Sequence, residues 1–582
     1  MQLVDENSAC LDCHERVPLD ARHSMMNKYR GPEDQSFKLV SGRIREILEK
    51  IHTDRSLTQD EQECMQALSF PYQDQKDMNP DRIDGTCEWF LRHQKFISWR
   101  QDLAKNLLWV TAGPGCGKSV LCKALVDKGL LHPENPETET TSICYFFFKD
   151  DQEQGSGINA LCSILHQLFK QKPWLIQHAV SEYKISGPKL PFGTLWNILM
   201  EAAIDPNAGP IICVFDALDE CESVRRPSLI KRFSYFHRAS NTSGSKLKFI
   251  VTSRPYHELQ MDFDVGDLPS IHLEGNEMSK EIGEEVNLVI SSEITRIGNR
   301  HQPPLDKKIQ ENLIQHLSEQ NNRTYLWVYL ILKEVENSLE STERKFAQLV
   351  KAIPRSVDQA YEKILKRARD SIQARRVLHL ILAAERPLTW KEMNTALAIL
   401  DMKEKGEKCA SECDLELDER EAFRKKIENL CGLFVTVVDG RIYLIHQTAK
   451  EFLVNNSGDS NSWSPSCWKQ TFTPEVSHLE LSRACMWYLQ LVFLQRDCED
   501  FREYCRRLYY QHVKDYTFLL YATKNWTLHY RQAGQKADRA LGENALRLCE
   551  TASKKSLLWF EILRAQIRAP HLSEFSSNLT VA

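Results

Sequence analysis

Between Ala112 and Val120 the chain reads AGPGCGKSV, and these are the residue types that a polyanion needs. Gly113, Gly115 and Gly117 let backbone N–H groups converge on phosphate oxygens, and Lys118 supplies a cation for the outer charge. Ser119 follows, where its hydroxyl can hold Mg²⁺. The run, Cys116 and Val120 included, is the candidate nucleotide-binding segment. Its spacing fits G-x-x-x-x-G-K-[ST] except at the first position, where the small residue Ala112 replaces glycine. A second group begins at Asp216, which closes the apolar run Ile211–Asp216 and leads into Ala217, Leu218, Asp219 and Glu220. A carboxylate at the end of a buried strand beside a phosphate loop can bind Mg²⁺, directly or through water. Glu220 or Asp219 lies far enough along to orient an attacking water. The alternative is that Asp219, Glu220 and Glu222 form a solvated acidic cluster. Arg254 closes a further apolar run, Leu247–Thr252. Its guanidinium could report the outermost phosphate or pair with local carboxylates.

The elements that must carry these groups follow from periodicity. Leu107–Val110 is a short apolar run that breaks into the glycine-rich turn and then opens a helix near Lys118, which is the order a phosphate loop requires. Ile143–Phe148, Ile211–Asp216 and Leu247–Thr252 are further strands, alternating with helical stretches such as Ala160–Phe169, so the fold class is α/β with a parallel sheet. Cys87–Trp99 reads as one amphipathic helix that could cover the nucleotide base or simply pack. Ser36–Gln66 reads as a helical pair leading into the core.

Composition narrows the class. The 582 residues imply three to five domains. Net charge is −5 with pI near 6.4, so no global field draws the chain to nucleic acid or an anionic membrane. No run approaches the roughly 18 apolar residues of a membrane span, and the charged N-terminus does not fit a secretory signal. A cytoplasmic location is expected. The 18 cysteines are scattered through the chain, in apolar stretches such as those of Cys144, Cys162 and Cys213, which suits reduced, buried thiols better than a disulfide framework. Cys10, Cys13 and His14 spell C-x-x-C-H, formally a haem attachment signature, and His23 could complete a metal site with them.

The set TCEW (Thr86–Trp89), AGPGCGKS, YFFFKDD (Tyr145–Asp151), FDALDE (Phe215–Glu220) and TSRP (Thr252–Pro255) resembles the NACHT nucleotide-binding domain. More closely it resembles the fungal NOD-like receptors linked to cell-fusion incompatibility. The resemblance implies a signal-transducing phosphate-loop ATPase with an extra strand between the loop strand and the magnesium strand, a place that Ile143–Phe148 is expected to fill. It also implies a small helical domain over Leu305–Asn337. Animal members often contact adenine there through Gly-x-Pro, whereas this chain has Arg323, Thr324 and Tyr325. Helices over 353–400 turn tightly at Glu385–Leu388. After a charged loop, Asp401–Glu421, a helix from Phe423 leads to the hairpin signal Asp439-Gly440, together a winged helix. HQTAKEFL (His446–Leu453) resembles the family's H-x-x-x-[QK]-E-F segment, whose histidine touches the terminal phosphate of bound ADP and latches the closed state. A packed or capping histidine is the alternative reading of His446.

These readings divide the chain into 1–35, poorly defined; 36–84, a helical connector; 85–275, the nucleotide-binding domain; 276–350, helical; 351–455, the winged helix; and 456–582, an aromatic-rich helical region. No ankyrin or Trp-Asp repeat appears by Ala582. The expected function is an ATP/ADP and Mg²⁺ switch that hydrolyses ATP slowly and forms homo-oligomers on activation. Rivals are a scaffold with a degenerate pocket, a turnover ATPase, and a DNA-binding winged helix. The DNA reading takes Trp390–Leu400 as the recognition helix, which looks buried and carries little positive charge, so no nucleic-acid partner is expected.

Overall fold

The computed structural model describes residues 57–102, 105–131, 141–151, 154–239, 246–255, 270–272, 279–300, 306–320, 324–338, 353–406, 415–455, 467–491 and 516–550, with a few more within 34–42 and 559–563. Cys10, Cys13, His14 and His23 lie outside the described residues, and the expected helical pair at 36–66 is described chiefly in its second member, Gln59–Leu68. That helix starts at Thr58, whose hydroxyl and Glu61 form a reciprocal capping box.

Five parallel strands make the central sheet: β1 (Leu107–Thr111), β2 (Ser142–Phe147), β3 (Ile211–Asp216), β4 (Leu247–Ser253) and β5 (Ser270–His272). Their spatial order is β2-β3-β4-β1-β5. An extra strand does separate the loop strand β1 from β3, but it is β4 and not Ile143–Phe148. The latter forms the sheet edge. Burial explains why the run alone misled: β4 is buried at every position, as an interior strand must be, whereas β2 leaves Ile143 and Tyr145 half-exposed. In sequence β2 is the more continuously apolar of the two, since Lys248 interrupts the β4 run.

Two cores sandwich this sheet. One joins Phe146, Phe215, Phe249, Phe233 and Trp196 with the helices Gly157–Gln171, Phe192–Ile204 and Arg226–Ala239. The other, on the opposite face, joins Leu108, Val110, Val214 and Ile250 with Phe90, Phe96 and Trp99. The expected helix Cys87–Trp99 is two helices, Glu88–Arg92 and Gln94–Gln101, broken at His93. His93 is extended there, and its Nδ1 accepts from Lys95 N–H, so it ends one helix and caps the next.

A third core is continuous from Val286 to Ile562. It starts in the helices Ser279–Arg300, Lys307–Ser318 and Tyr325–Ser338, runs through the winged helix, and ends in Pro474–Leu491 and Leu519–Ala533. Within the winged helix the tight turn at Glu385–Leu388 is present. Thr389 caps the helix Trp390–Glu404 through a capping box with Glu392, which Arg386 grips with two N–H groups. The hairpin strands β6 (Val435–Val438) and β7 (Arg441–Leu444) meet at Asp439-Gly440, both with positive φ as a two-residue turn requires. Thr389 bridges to Arg441, so the segment before Trp390–Glu404 joins the wing.

This topology corrects the recognition-helix assignment. The helix that enters the wing is Arg420–Cys431, while Trp390–Glu404 is packed on most of its faces. Arg420, Arg424 and Lys425 are exposed on the entering helix, along with Glu421 and Glu428. The charged segment expected as a loop over 401–421 is helical at both ends, because Trp390–Glu404 runs on past Asp401 and the next helix starts at Arg420. Among the described residues no helix is long and apolar enough to cross a membrane, and the twelve described cysteines are free thiols.

Candidate functional site

The phosphate loop hangs between β1 and the helix Lys118–Asp127. Ala112 N–H donates to Ser253 O at 3.2 Å, which ties the start of the loop to β4. Gly115 and Gly117 adopt φ of +72° and +83°, a left-handed backbone that turns successive N–H groups toward one concavity. Lys118 Nζ lies under the loop, donating to Ala112 O at 2.7 Å and Gly113 O at 3.0 Å. Gly113 is buried, and Cys116, Ser119 and Val120 are half-buried around the loop mouth.

Asp216 is 1% exposed at the end of β3. Burial raises its carboxyl pKa, while hydrogen bonds from Ser119, Thr252 and Cys122 and the charge of Lys118 oppose the rise. The Thr252 hydroxyl donates to Asp216 Oδ1 at 2.6 Å and also accepts from Ala217 N–H at 2.9 Å, holding the left-handed Ala217 at φ +55°. Ser119 and Asp216 thus share one buried spot, an oxygen pair of the kind Mg²⁺ prefers. Thr252, which the TSRP run includes without a role of its own, takes this one from the placement of β4 beside β3.

Asp219 and Glu220 point to different environments. Asp219 is engaged by Arg254, which donates its backbone N–H at 3.1 Å and its Nε at 3.2 Å. The other arm of Arg254 reaches Glu451 of the winged helix, Nη1 to Oε1 2.6 Å. Of the two readings of Arg254, pairing with carboxylates is the one this geometry realises. Glu220 faces Lys149 and Asp150, and Asp150 N–H donates to its Oε2 at 3.3 Å. Burial pushes its carboxyl up to about 7, with Lys149 opposing and Asp219 adding to the rise. A carboxyl poised near neutrality can take or give a proton.

His446 is the N-cap of the helix Gln447–Leu453. Its Nδ1 accepts from Thr448 N–H at 3.2 Å, so the neutral ring carries its proton on Nε2. Thr448 Oγ1 lies 2.9 Å from Nδ1 and 3.0 Å from the Tyr361 hydroxyl, which fixes the ring further. Burial, then the charges of Lys149, Arg254 and Lys118, hold His446 down to about 3. Of the two readings of His446 the capping one is realised here, through Nδ1, and the cap does not use Nε2. Two more links cross to the winged helix: Lys450 Nζ to Asp150 Oδ2 at 2.5 Å, and Gln447 Nε2 to the same oxygen at 3.0 Å.

On its other side the loop meets the helix Tyr325–Ser338. Leu326 N–H donates to Gly115 O at 3.4 Å, and the Tyr325 ring covers Gly117 while its hydroxyl donates to Glu285 at 2.9 Å. Beyond Tyr325 opens a cavity of about 320 Å³ with Arg82, Thr86, Cys87, Val120 and Val289 in its wall. It lies between the 80–89 segment and the small helical domain. Arg323 lies outside the described residues. Tyr325, Glu285 and Arg82 carry no motif by themselves and were not chosen from sequence.

The sheet order, loop and buried Asp216 define a phosphate-loop NTPase fold followed by a winged helix. Residues 85–254 match the family model described as Nephrocystin 3, N-terminal, and residues 361–462 match the GPI inositol-deacylase winged helix domain. The chain is 26% identical over 419 residues to the vegetative incompatibility protein HET-E-1 of Podospora anserina, covering 69% of this chain and 28% of that protein. The resemblance to NACHT-type phosphate-loop NTPases of the fungal NOD-like receptor kind therefore extends beyond short motifs. The chain spans a little over a quarter of that relative's length. Solved structures that it resembles include a Walker-type ATPase of Pyrococcus abyssi (13% identity, TM-score 0.31, 65% of this chain and 98% of that one). Another is Cdc6p from Pyrobaculum aerophilum (11% identity, TM-score 0.29, 66% and 93%). Likeness at these scores is distant, and the fold assignment rests on the strand order and the loop.

Proposed function

We propose that the protein is a nucleotide-operated switch in which ADP holds the winged helix against the phosphate loop and exchange for ATP releases it toward homo-oligomers. The observation that carries this reading is the position of His446. It caps the helix Gln447–Leu453, whose Glu451 and Lys450 pair with Arg254 and Asp150, and its proton is on the nitrogen that the cap leaves over. The likeness to a fungal incompatibility protein supports a role in non-self recognition or programmed cell death.

In this reading Ser119 and Asp216 hold Mg²⁺, and the N–H groups from Gly113 to Val120, with Lys118, cradle the phosphates. Mg²⁺ would offset charge on the transferring phosphoryl group. Glu220, poised near neutrality, orients or deprotonates water, whereas Asp219 serves mainly to aim Arg254. His446 Nε2–H is a donor for a terminal phosphate oxygen, and Arg254 relays between the strand end and the winged helix. Moving such a switch from about 1:99 to 99:1 needs about 5.5 kcal/mol of differential binding. Contacts made in one nucleotide state only, such as that of His446, are where it would arise.

The test is the nucleotide carried by the purified protein, released by denaturation and identified by chromatography, with Lys118→Ala alongside. Near-stoichiometric ADP that disappears in the variant supports the switch. An empty pocket in both, with no Mg-ATP binding on titration, would turn the reading to a scaffold. For the closed state, His446→Ala should speed nucleotide exchange and increase oligomer size; an unchanged variant removes the latch.

A further inference from the structure

Away from the phosphate loop, three segments bring metal-binding side chains together. Glu385 lies in the tight turn of the winged helix, His478 on the helix Pro474–Leu491 and His529 on Leu519–Ala533. One ligand atom from each lies within 4.8 Å of the other two. The two imidazoles meet through the same nitrogen, Nδ1 to Nδ1 at 2.9 Å, with ring centroids 5.1 Å apart. We propose that Glu385, His478 and His529 form a binding site for a zinc-class divalent metal ion that ties the winged helix to the helices that follow it.

The donor set has the right chemistry. Two imidazole nitrogens and one carboxylate oxygen suit Zn²⁺ and its neighbours Co²⁺ and Ni²⁺, and leave a fourth position for water. Zn–N bonds of about 2.0–2.1 Å in a tetrahedron place two nitrogens roughly 3.3 Å apart, so the pair needs to open by only about 0.4 Å. The surroundings fit as well. Ligating histidines usually donate their other ring N–H to a fixed partner, and His529 Nε2 lies 3.0 Å from the Tyr521 hydroxyl. That hydroxyl is itself anchored by Glu385 N–H at 3.1 Å, so one group braces two of the three ligand residues. His529 is 0% exposed and Tyr521 1%, which gives the site a rigid floor. Without an ion the pair is one N–H···N hydrogen bond, and neither nitrogen can then serve both roles.

The full chain carrying Cys10→Ser and Cys13→Ser, which removes the separate N-terminal cysteine motif, is stripped with chelator and titrated with Co²⁺, then Zn²⁺. One equivalent of Co²⁺ should give the visible absorption of a tetrahedral N/O site, displaced by Zn²⁺, and Zn²⁺ should raise the melting temperature. His478→Gln, which keeps a polar group at a half-buried position, should lower affinity at least tenfold, and Tyr521→Phe about tenfold or more. Variants are compared only where their metal-free melting temperature stays within a few degrees of the parent. If His478→Gln alone perturbs folding, the parent's stoichiometry and its Co²⁺ spectrum decide. No tetrahedral Co²⁺ signal in the parent at one equivalent, or equal affinity in parent and His478→Gln, overturns the proposal and leaves a hydrogen-bonded histidine pair.

Discussion

The nucleotide-binding domain has two neighbours around its phosphate loop, and they are built differently: one touches the loop itself, the other the nearby strand ends at Asp150 and Arg254. Toward the small helical domain the contact is close and largely apolar: a Cβ at Gly115 would sit 2.7 Å from Leu326 Cβ, and one at Gly117 3.1 Å from the Tyr325 ring. Toward the winged helix it is polar and charged, made of Arg254–Glu451, Lys450–Asp150, Gln447–Asp150 and the half-buried His446. Apolar packing is insensitive to charge, whereas ion pairs around a phosphate site respond to the charge bound there. On the proposed switch, the first contact is the wall that stays and the second the one that releases.

The sharpest test of this contrast is Arg254. Its guanidinium is 9% exposed and the Asp219 side chain 4%, so Arg254→Ala strands a buried carboxylate, at a cost of about 3–5 kcal/mol. Glu451, with its side chain 44% exposed, is the cheap end of the same link, and Glu451→Gln should cost under about 1 kcal/mol. Midpoints of the first unfolding transition compare them. Equal costs would mean that Asp219 is not held by Arg254. On the apolar side, a Cβ at Gly115 would sit 2.7 Å from Leu326 Cβ at φ +72°. Gly115→Ala should therefore lose about 1–3 kcal/mol. Gly406→Ala, at φ +70° with nothing within 4 Å among the described residues, is the control for backbone strain, and a matching loss there would remove the packing argument.

The sequence displayed the loop, Asp216 and the hairpin because each is local: one turn and its flanking strand or helix suffice to specify it. It did not display which strand lies beside β1, since β4 carries Lys248 and so reads as less apolar than β2, yet it is β4 that is buried on both faces. The recognition helix was misplaced too: the pairing of Thr389 with Arg441, which assigns Trp390–Glu404 to an earlier position, is a long-range contact. The roles of Thr252, Tyr325 and Glu451 likewise exist only across the fold. Arg254 and His446 are legible by position, as is the pairing of Arg254 with local carboxylates, but not its reach to Glu451 nor the hold of Thr448 on His446.

Protonation should weaken the polar contact selectively. His446 is held down to about 3, so below pH 6.5 the unfolded or released ring binds a proton that the docked ring refuses. Docking is at full strength above about pH 6.5 and loses up to about 1.4 kcal/mol per pH unit as pH falls toward about 3. His529 and His379 are depressed as well, to about 3 and about 4, so the quantity to measure is the difference in pH slope between the parent and His446→Gln. The parent should be steeper between pH 6.5 and 5; identical slopes would mean that His446 does not titrate against the docked state.

The smallest effect belongs to Lys450, and its use lies in its salt dependence. Its side chain is 35% exposed and that of Asp150 45%, so the pair is solvated, and Lys450→Gln should cost under about 1 kcal/mol. A screened surface pair weakens with ionic strength, because the Debye length falls from about 10 Å at 0.1 M to about 3 Å at 1 M salt. The gap between parent and Lys450→Gln should therefore close as salt rises, while the Arg254→Ala deficit, set by a buried carboxylate, should persist. Limited proteolysis of the winged helix across a salt series, with all three proteins at one temperature, reads both together. If the two gaps close in parallel, Arg254 acts only as one more surface charge, and the division of the polar contact into a buried anchor and a screened rim fails.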